Sequence, residues 1–440
     1  MLSKVSASLQ KPFHCWATVI PGFESLFQYE LVKLKVGTKS TCVYRDYSGG
    51  VDLMVDNQQF WRMMCCSRMV GTLYSSYELH VESARIKVGT FTLTNRRGME
   101  QSLQQIPWEQ YISKEDELML QTVHPFVILN VQTIIKNNMF FPRDVNEMIL
   151  SSSPLTSLAK SVTTVRSPHR KKVFFLIRRD NVTVSVDVGY DSNRGYRQFL
   201  AETPLKETIA AALCYNTIQK GGLLQNNMLL FDFFCGSGIL GDEFVSVIRR
   251  DFPYLQRKRF LEDYHHGFEK WPCHDVDAFN QFVQDLEAER EKAPLMRDYA
   301  VMNSDSSARA IFCAKKNTGN LFTGDSEIPR SISFTQASFE SRAQQLIEAI
   351  QLNKEAYKKN IVILANPPIY MRNSVSFKEL DQLYYSLFEL VYSFKQTDLL
   401  RSASILIPYS TQFQLPKALQ EIASLRQLKL GDHTVCLLSV

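Results

Sequence analysis

Short apolar runs recur through the C-terminal half of the chain, and each stops at a residue that breaks a strand. Leu229–Phe231 ends in Asp232 and opens into Gly236-Ser237-Gly238; Tyr299–Asn303 ends in Ser304-Asp305. Ile332–Gln336 is followed by Ala337-Ser338, and Ile361–Ala365 stops at Asn366-Pro367-Pro368. Ala403–Ile407 and a hairpin over Leu428–Val440 close the series. Runs of this length, rich in β-branched residues, predict buried strands. Between them the period changes to that of helices, over 308–317 and over 377–394, where Leu380, Leu383, Leu387 and Leu390 share one face. Alternating strands and helices predict an α/β domain with a mainly parallel sheet and an antiparallel last strand.

The N-terminal half reads differently. Cys15–Ile20 predicts a strand, Pro21-Gly22 a break, and Gly22–Leu34 a helix with Leu26, Leu31 and Leu34 at helical spacing. Strands near 42–47 and 50–54 and a helix over 58–70 complete a ferredoxin-like α+β unit, residues 13–83. In residues 84–190, Phe126–Val131 predicts a strand, and Val173–Ile177 pairs with Val182–Val188 as a hairpin. The serine-rich stretch Ser151–Ser167 reads as a loop. Thr203 with Pro204 reads as the capped start of a helix running to Gly221-Gly222. Residues 191–440 form the α/β domain, interrupted by a charged, aromatic insertion over about 251–297.

Two of the strand ends carry candidate chemistry. Glycines after Asp232 let a ligand approach the backbone, and the helix that follows offers unpaired N–H groups. An ordinary strand–turn–helix of any α/β protein has the same pattern. Two prolines after Asn366 remove two N–H donors and stiffen the chain, holding Asn366 at the strand's carboxyl end. Its side chain can accept a hydrogen from an exocyclic amine, although Asn-Pro-Pro is also a good strand terminator.

Asp232-Phe233-Phe234-Cys235-Gly236-Ser237-Gly238 with Glu243, and Asn366-Pro367-Pro368, resemble the two motifs of class I methyltransferases that modify guanine N2 in RNA. The whole chain is similar to the THUMP-containing large-subunit ribosomal RNA guanine-N2 methyltransferases. The resemblance implies a Rossmann-like methyltransferase domain, a THUMP-like RNA-binding region over 84–190, and S-adenosyl-L-methionine as cofactor. It implies cofactor contacts from Asp232, Phe234, Cys235, Gly236, Ser237, Gly238, Asp305 and Ser338, and from Pro204, Leu205 and Lys206 over the methionine end. Asn366, Pro367, Pro368 and Tyr370 take the catalytic places. The chain departs from the family at Ser338, where an aspartate is usual, and at Ile369, where an aromatic follows Asn-Pro-Pro; Tyr370 comes one residue late. Phe233 and Ile239 replace a customary proline and threonine. These departures keep open a second reading, a weakened or inactive methyltransferase fold that binds RNA in large-subunit assembly. A DNA or protein amino-methyltransferase is a third, since Asn-Pro-Pro motifs occur there too.

Composition bears on partners. Fifty basic against 45 acidic residues give a net charge of only +5, so a nucleic-acid surface must be local. The densest basic cluster is Arg166, His169, Arg170, Lys171, Lys172, Arg178 and Arg179, read as an RNA-phosphate surface together with Arg194 and Arg197. A solvated loop and a guarded sheet edge would look the same. The expected partner is large-subunit ribosomal RNA, free or in a pre-ribosomal particle. Nine scattered cysteines suit reduced thiols. His265-His266 with Cys273-His274 has no common zinc spacing, so no metal is expected. No apolar run approaches membrane-spanning length. Residues 1–23 carry Lys4, Lys11, serines and no acid; they read as a mitochondrial targeting segment, with 1–12 outside the family resemblance, or as a flexible start in a cytoplasmic protein.

Overall fold

The computed structural model describes residues 12–37, 42–44, 49–71, 84–92, 96–123, 157, 161–163, 171–178, 181–189, 192–202, 204–221, 228–261, 263–292, 299–322, 328–368, 377–409, 415–430 and 433–440. They form two sheets. The first holds β1 (Phe13–Thr18), β2 (Cys42–Tyr44), β3 (Gly50–Val55), β4 (Ala84–Thr92), β5 (Glu117–Val123), β6 (Ser161–Thr163), β7 (Lys171–Arg178) and β8 (Asn181–Asp187). Its order is β2-β3-β1-β4-β8-β7-β5-β6. Residues 13–83 and 84–190, expected as separate units, are therefore joined. β4 pairs with β1 on one side, Ile86 opposite Cys15, and with β8 on the other, Arg85 opposite Asp187. The predicted hairpin forms, with Val173 opposite Val186 and Arg178 opposite Asn181. Part of the stretch read as a serine-rich loop is strand β6; the strand expected over 126–131 lies outside the described residues.

The second sheet holds β9 (Met228–Asp232), β10 (Tyr299–Asp305), β11 (Ile332–Gln336), β12 (Ile361–Ala365), β13 (Leu400–Pro408), β14 (Ser424–Leu430) and β15 (His433–Ser439). The order is β11-β10-β9-β12-β13-β15-β14. Pairs from β11 through β13 are parallel, whereas β15 runs antiparallel to both β13 and β14. All five residues of β12 are buried, as a strand covered on both faces requires. The helix Phe377–Gln396 covers one face with Leu380, Leu387 and Leu390 buried. None of the described helices is long and apolar enough to cross a membrane. Strand order reverses between β9 and β12, and an α/β sheet leaves a crevice at the carboxyl ends of the strands flanking such a reversal.

The insertion joins the halves. Phe268 packs edge-on against Phe60 at 5.0 Å and Phe279 against Trp61 at 5.4 Å, both partners on the N-terminal helix Asn57–Cys66. The Gly267 and Phe268 N–H groups donate to the carbonyls of Gly189 and Val188 at 3.0 and 2.9 Å. A Cβ at Gly189 would stand 2.6 Å from the Gly267 Cα, so the two backbones meet where neither can carry a side chain. His266 lies in this seam, stacked between Tyr254 and Phe268 at 5.0 and 5.2 Å, and burial pulls its pKa well down. Among the described residues, no group of three metal-ligating side chains gathers there or elsewhere.

Beside the seam is a buried ionic cluster. Glu243 accepts from Arg68 at 2.8 Å and from Arg194 at 3.2 Å, and all three side chains are at most 3% exposed. Arg68 also donates to Gln256 Oε1 at 3.0 Å and to the Asp251 carbonyl. Its N–H and the Ser67 hydroxyl each donate to Glu30 at 2.7 Å. Charges this deeply buried persist only when paired and fully hydrogen-bonded.

Candidate active site

β9 and β12 are direct neighbours, with Ile363 opposite Phe231, so the turn after Asp232 and the turn after Ala365 leave the same edge of the sheet side by side. Asp305 ends β10 and Ser338 follows β11 on that edge. The four strand ends that looked chemical in sequence are thus gathered along three strand spacings, about 15 Å.

The glycine turn is held from beneath. Asp232 is fully buried; its Oδ1 accepts the Phe234 N–H at 3.2 Å, and its Oδ2 has no partner among the described residues. Burial holds this carboxyl well above the usual range, and Asp305 and Asp242 push it the same way against the Phe234 bond. Gly236 and Gly238 have φ of +51° and +89°. A Cβ on Gly238 would come within 3.1 Å of Ala314 Cβ, whereas one on Gly236 would meet nothing within 4 Å. Gly238 thus lets a helix pack close, and Gly236 faces open space. Asp305 Oδ2 accepts the Gly236 N–H at 2.9 Å and Oδ1 accepts the Ser307 N–H at 2.9 Å. Each oxygen keeps a second lone pair.

Two side chains tie a further segment over this turn. Arg197 donates to the Leu205 carbonyl at 2.6 Å and to Ser237 Oγ at 3.3 Å, and pairs with Glu207 at 3.1 Å. Asn317 donates to the carbonyls of Ser237 and Phe199 at 2.9 and 2.7 Å, while its oxygen accepts from the Gln198 and Phe199 N–H groups. Pro204, Leu205 and Lys206 are thereby brought beside the glycine turn. The helix starts at Glu207 rather than Pro204, because the Leu205 carbonyl is spent on Arg197 and the first i to i−4 acceptor is Lys206. Thr203 lies outside the described residues.

Asn366 is half-buried, Pro367 buried and Pro368 exposed, and Tyr384 donates its hydroxyl to the Pro368 carbonyl at 3.2 Å. Ile369 and Tyr370 lie outside the described residues. Ser338 is exposed and caps the helix Phe339–Leu352 by accepting the Ser341 N–H at 3.3 Å. Phe339 stacks on Phe234 at 5.7 Å and 19°, an aromatic wall at this edge that the sequence reading passed over. An aromatic directly after a strand-end serine was the available signal. Asn317 was passed over too, as one polar residue inside an amphipathic helix.

Several cations expected on an RNA surface are instead structural. Arg194 is fully buried against Glu243, with further bonds to the Ser192 and Arg68 carbonyls. Arg197 faces inward as described. Lys171 donates to Asp116 at 2.6 Å and to the Tyr111 carbonyl at 2.8 Å. Lys172 is 5% exposed, and burial draws its pKa down against the nearby Asp187. The cause is the hairpin itself: β7 lies inside the sheet between β5 and β8, so its first residues are enclosed. Arg166, Arg170 and Arg179, with the side chain of Arg178, lie outside the described residues.

Asp242, one turn into the helix behind the glycines, is 3% exposed and accepts from the Thr318 hydroxyl at 2.6 Å. Burial, with Glu243 adding, pushes its pKa up to about 8 from 3.8. The folded state keeps a proton that the unfolded chain sheds, so this group's contribution is complete below the ordinary value and is lost as pH climbs through about 8. Asp242→Asn is expected to gain stability over wild type across that window, by on the order of a few kcal/mol. Thermal midpoints of the two proteins from about pH 5 to pH 8 would show it; a constant offset would refute the assignment.

The fold has known counterparts. SMU.472, solved in complex with SAH, superposes with a TM-score of 0.67 at 19% identity over 98% of each chain. A structure described as a predicted N6-adenine-specific DNA methylase from Listeria monocytogenes superposes with a TM-score of 0.65 at 19% identity, over 99% of this chain and 98% of that one. Both share the overall fold along nearly the whole chain. In sequence, the ribosomal RNA large subunit methyltransferase K/L of Shewanella oneidensis is 31% identical over 218 residues, 49% of this chain and 27% of that one. Its counterpart in Saccharophagus degradans is 25% identical over 303 residues, 67% of this chain and 36% of that one. The chain spans about a quarter to a third of the length of these curated relatives. Residues 194–430, which carry both strand-end motifs and more than half of the chain, match the model of the UPF0020 family, the RMKL-like methyltransferase domain, and the protein belongs to that family.

Proposed function

We propose that the protein is an S-adenosylmethionine-dependent RNA methyltransferase that modifies guanine N2 in large-subunit ribosomal RNA. The observation that carries this is the adjacency of β9 and β12, which sets a donor turn beside an acceptor turn at the sheet's switch point. The names of the curated relatives support ribosomal RNA as the substrate. The residues present suit the cofactor. The orphaned Asp232 Oδ2 matches an ammonium donor, the space at Gly236 admits a ligand against the backbone, and the spare Asp305 lone pairs match a ribose diol. When bound, the cofactor supplies a methyl group already activated on its sulfonium.

The protein's own task is alignment and exclusion of water. Asn366 Oδ1 and the Pro367 carbonyl accept the two hydrogens of the guanine amine, turning its lone pair toward the methyl. No strongly basic side chain is needed to start the transfer. Tyr370 is assigned to stacking on the base. A guanine within a stem must flip out, and one in a loop is already accessible. The proposal extends to a pre-ribosomal particle as the form in which the RNA is met, and to a mitochondrial address for the chain.

One observation favours a second reading, an RNA-binding assembly factor with weakened catalysis. Ser338, in the place of an adenine-binding aspartate, is an exposed neutral helix cap that brings no charge to an adenine amine. Calorimetric titration with S-adenosylmethionine separates the two. Saturable binding that falls on Asp305→Ala supports the enzyme; absence of binding leaves the assembly factor.

A further inference from the structure

Those cations of the expected RNA surface that the structure describes, Lys171, Lys172, Arg194 and Arg197, are enclosed, yet one helix beside the donor turn shows the opposite arrangement. The helix Ala308–Leu321 begins three residues after Asp305 and contains no acid. Its inner face, Ala314 and Asn317, packs on Gly238 and Ser237. Its outer face exposes Arg309, Phe312, Lys315 and Lys316, spaced so that all four lie along one side. Phe312 is 53% exposed, a large aromatic in water, with the Lys316 ammonium 5.8 Å from its ring centre. Phe199 meets Phe312 edge-on at 6.1 Å, and Leu200 beside it is 52% exposed. Asn317 holds residues 198 and 199 in that position from within.

Aromatic faces interleaved with cations bind single-stranded nucleic acid, because every base has a π-face to stack and every nucleotide a phosphate to neutralise. We propose that Phe312, with Arg309, Lys315 and Lys316, is the platform on which the single-stranded RNA flanking the target nucleotide lies. This rests on RNA being the partner, as argued above, and adds where the strand runs. The helix begins just past the tip of β10, two strand spacings or about 10 Å from Asn366, so a strand whose base enters at Asn366 reaches its outer face beside the cofactor cleft. Charge complementarity favours RNA over a protein partner, since the face carries three cations and no carboxylate of its own.

The test uses the full chain and a labelled single-stranded RNA of about 12 nucleotides, followed by fluorescence anisotropy over a salt series. Phe312→Ala is expected to weaken binding about tenfold or more with the salt slope unchanged, and Phe312→Trp to restore it. Lys315→Ala with Lys316→Ala is expected to lower the salt slope by roughly 1.4. Thermal midpoints should stay at the wild-type value, since these side chains face solvent. S-adenosylmethionine binding is measured alongside. Its absence with the Phe312 effect intact would strike the methyl-transfer reading and support the platform. Wild-type RNA affinity in Phe312→Ala, or no RNA binding by wild type, overturns the platform and leaves the face to a protein partner.

Discussion

Asn366→Ala is expected to lower methyl transfer to ribosomal RNA by at least ~100-fold, the usual cost of removing one preorganised polar contact from a transition state. The reason is geometric. Asn366 stands at the carboxyl end of a strand buried at all five positions, and two prolines then stiffen its exit. Its amide is therefore pre-positioned, and alanine has nothing to accept an amine hydrogen. The fold should be unaffected, because the residue is half-buried beyond the last strand position and belongs to no ladder pair. Asn366→Asp keeps the acceptors and should recover part of the rate. Radiolabelled methyl incorporation, with the thermal midpoint measured on the same samples, reads both. Wild-type turnover in Asn366→Ala would remove the residue from the mechanism.

Glu243→Gln is expected to produce the largest loss of stability, about 3–5 kcal/mol, because it strands two buried guanidinium groups at once. For domains of this size the thermal midpoint should fall by roughly 6 to 20 °C. Arg68 belongs to the N-terminal half, and Glu243 and Arg194 to the methyltransferase domain, so the loss should loosen the seam as well. Replacing Arg68, Glu243 and Arg194 together with methionine should cost less than the single change, since it removes the buried charges instead of unpairing them. Differential scanning calorimetry of wild type and the two variants decides it. A Glu243→Gln midpoint within experimental error of wild type would mean that the cluster contributes nothing to holding the halves together.

The C-terminal α/β domain was legible because its strands are local events. Ile361–Ala365 and Ile332–Gln336 match their observed bounds, and 377–394 comes within two residues, each marked by apolar period and a turn residue at the end. Lys171 and Arg194 stand apart from an RNA surface for a physical reason. Lysine and arginine read as surface in a linear chain, yet Lys171 and Arg194 are enclosed because carboxylates distant in sequence, Asp116 and Glu243, compensate them. Nothing near Lys171 announces Asp116. The aromatic Phe312 was likewise unreadable, since periodicity places it on a helix without saying which side faces the core.

By itself the sequence determined the strands of the second sheet to within a few residues, and which of their ends carry glycine, acid or Asn-Pro-Pro, because those are properties of a few consecutive residues. Only the tertiary structure decided that the two N-terminal units share one sheet, that the insertion clamps the halves, and which cations reach solvent. Those outcomes depend on pairing across tens to hundreds of residues, where long-range packing and charge compensation outweigh any local preference.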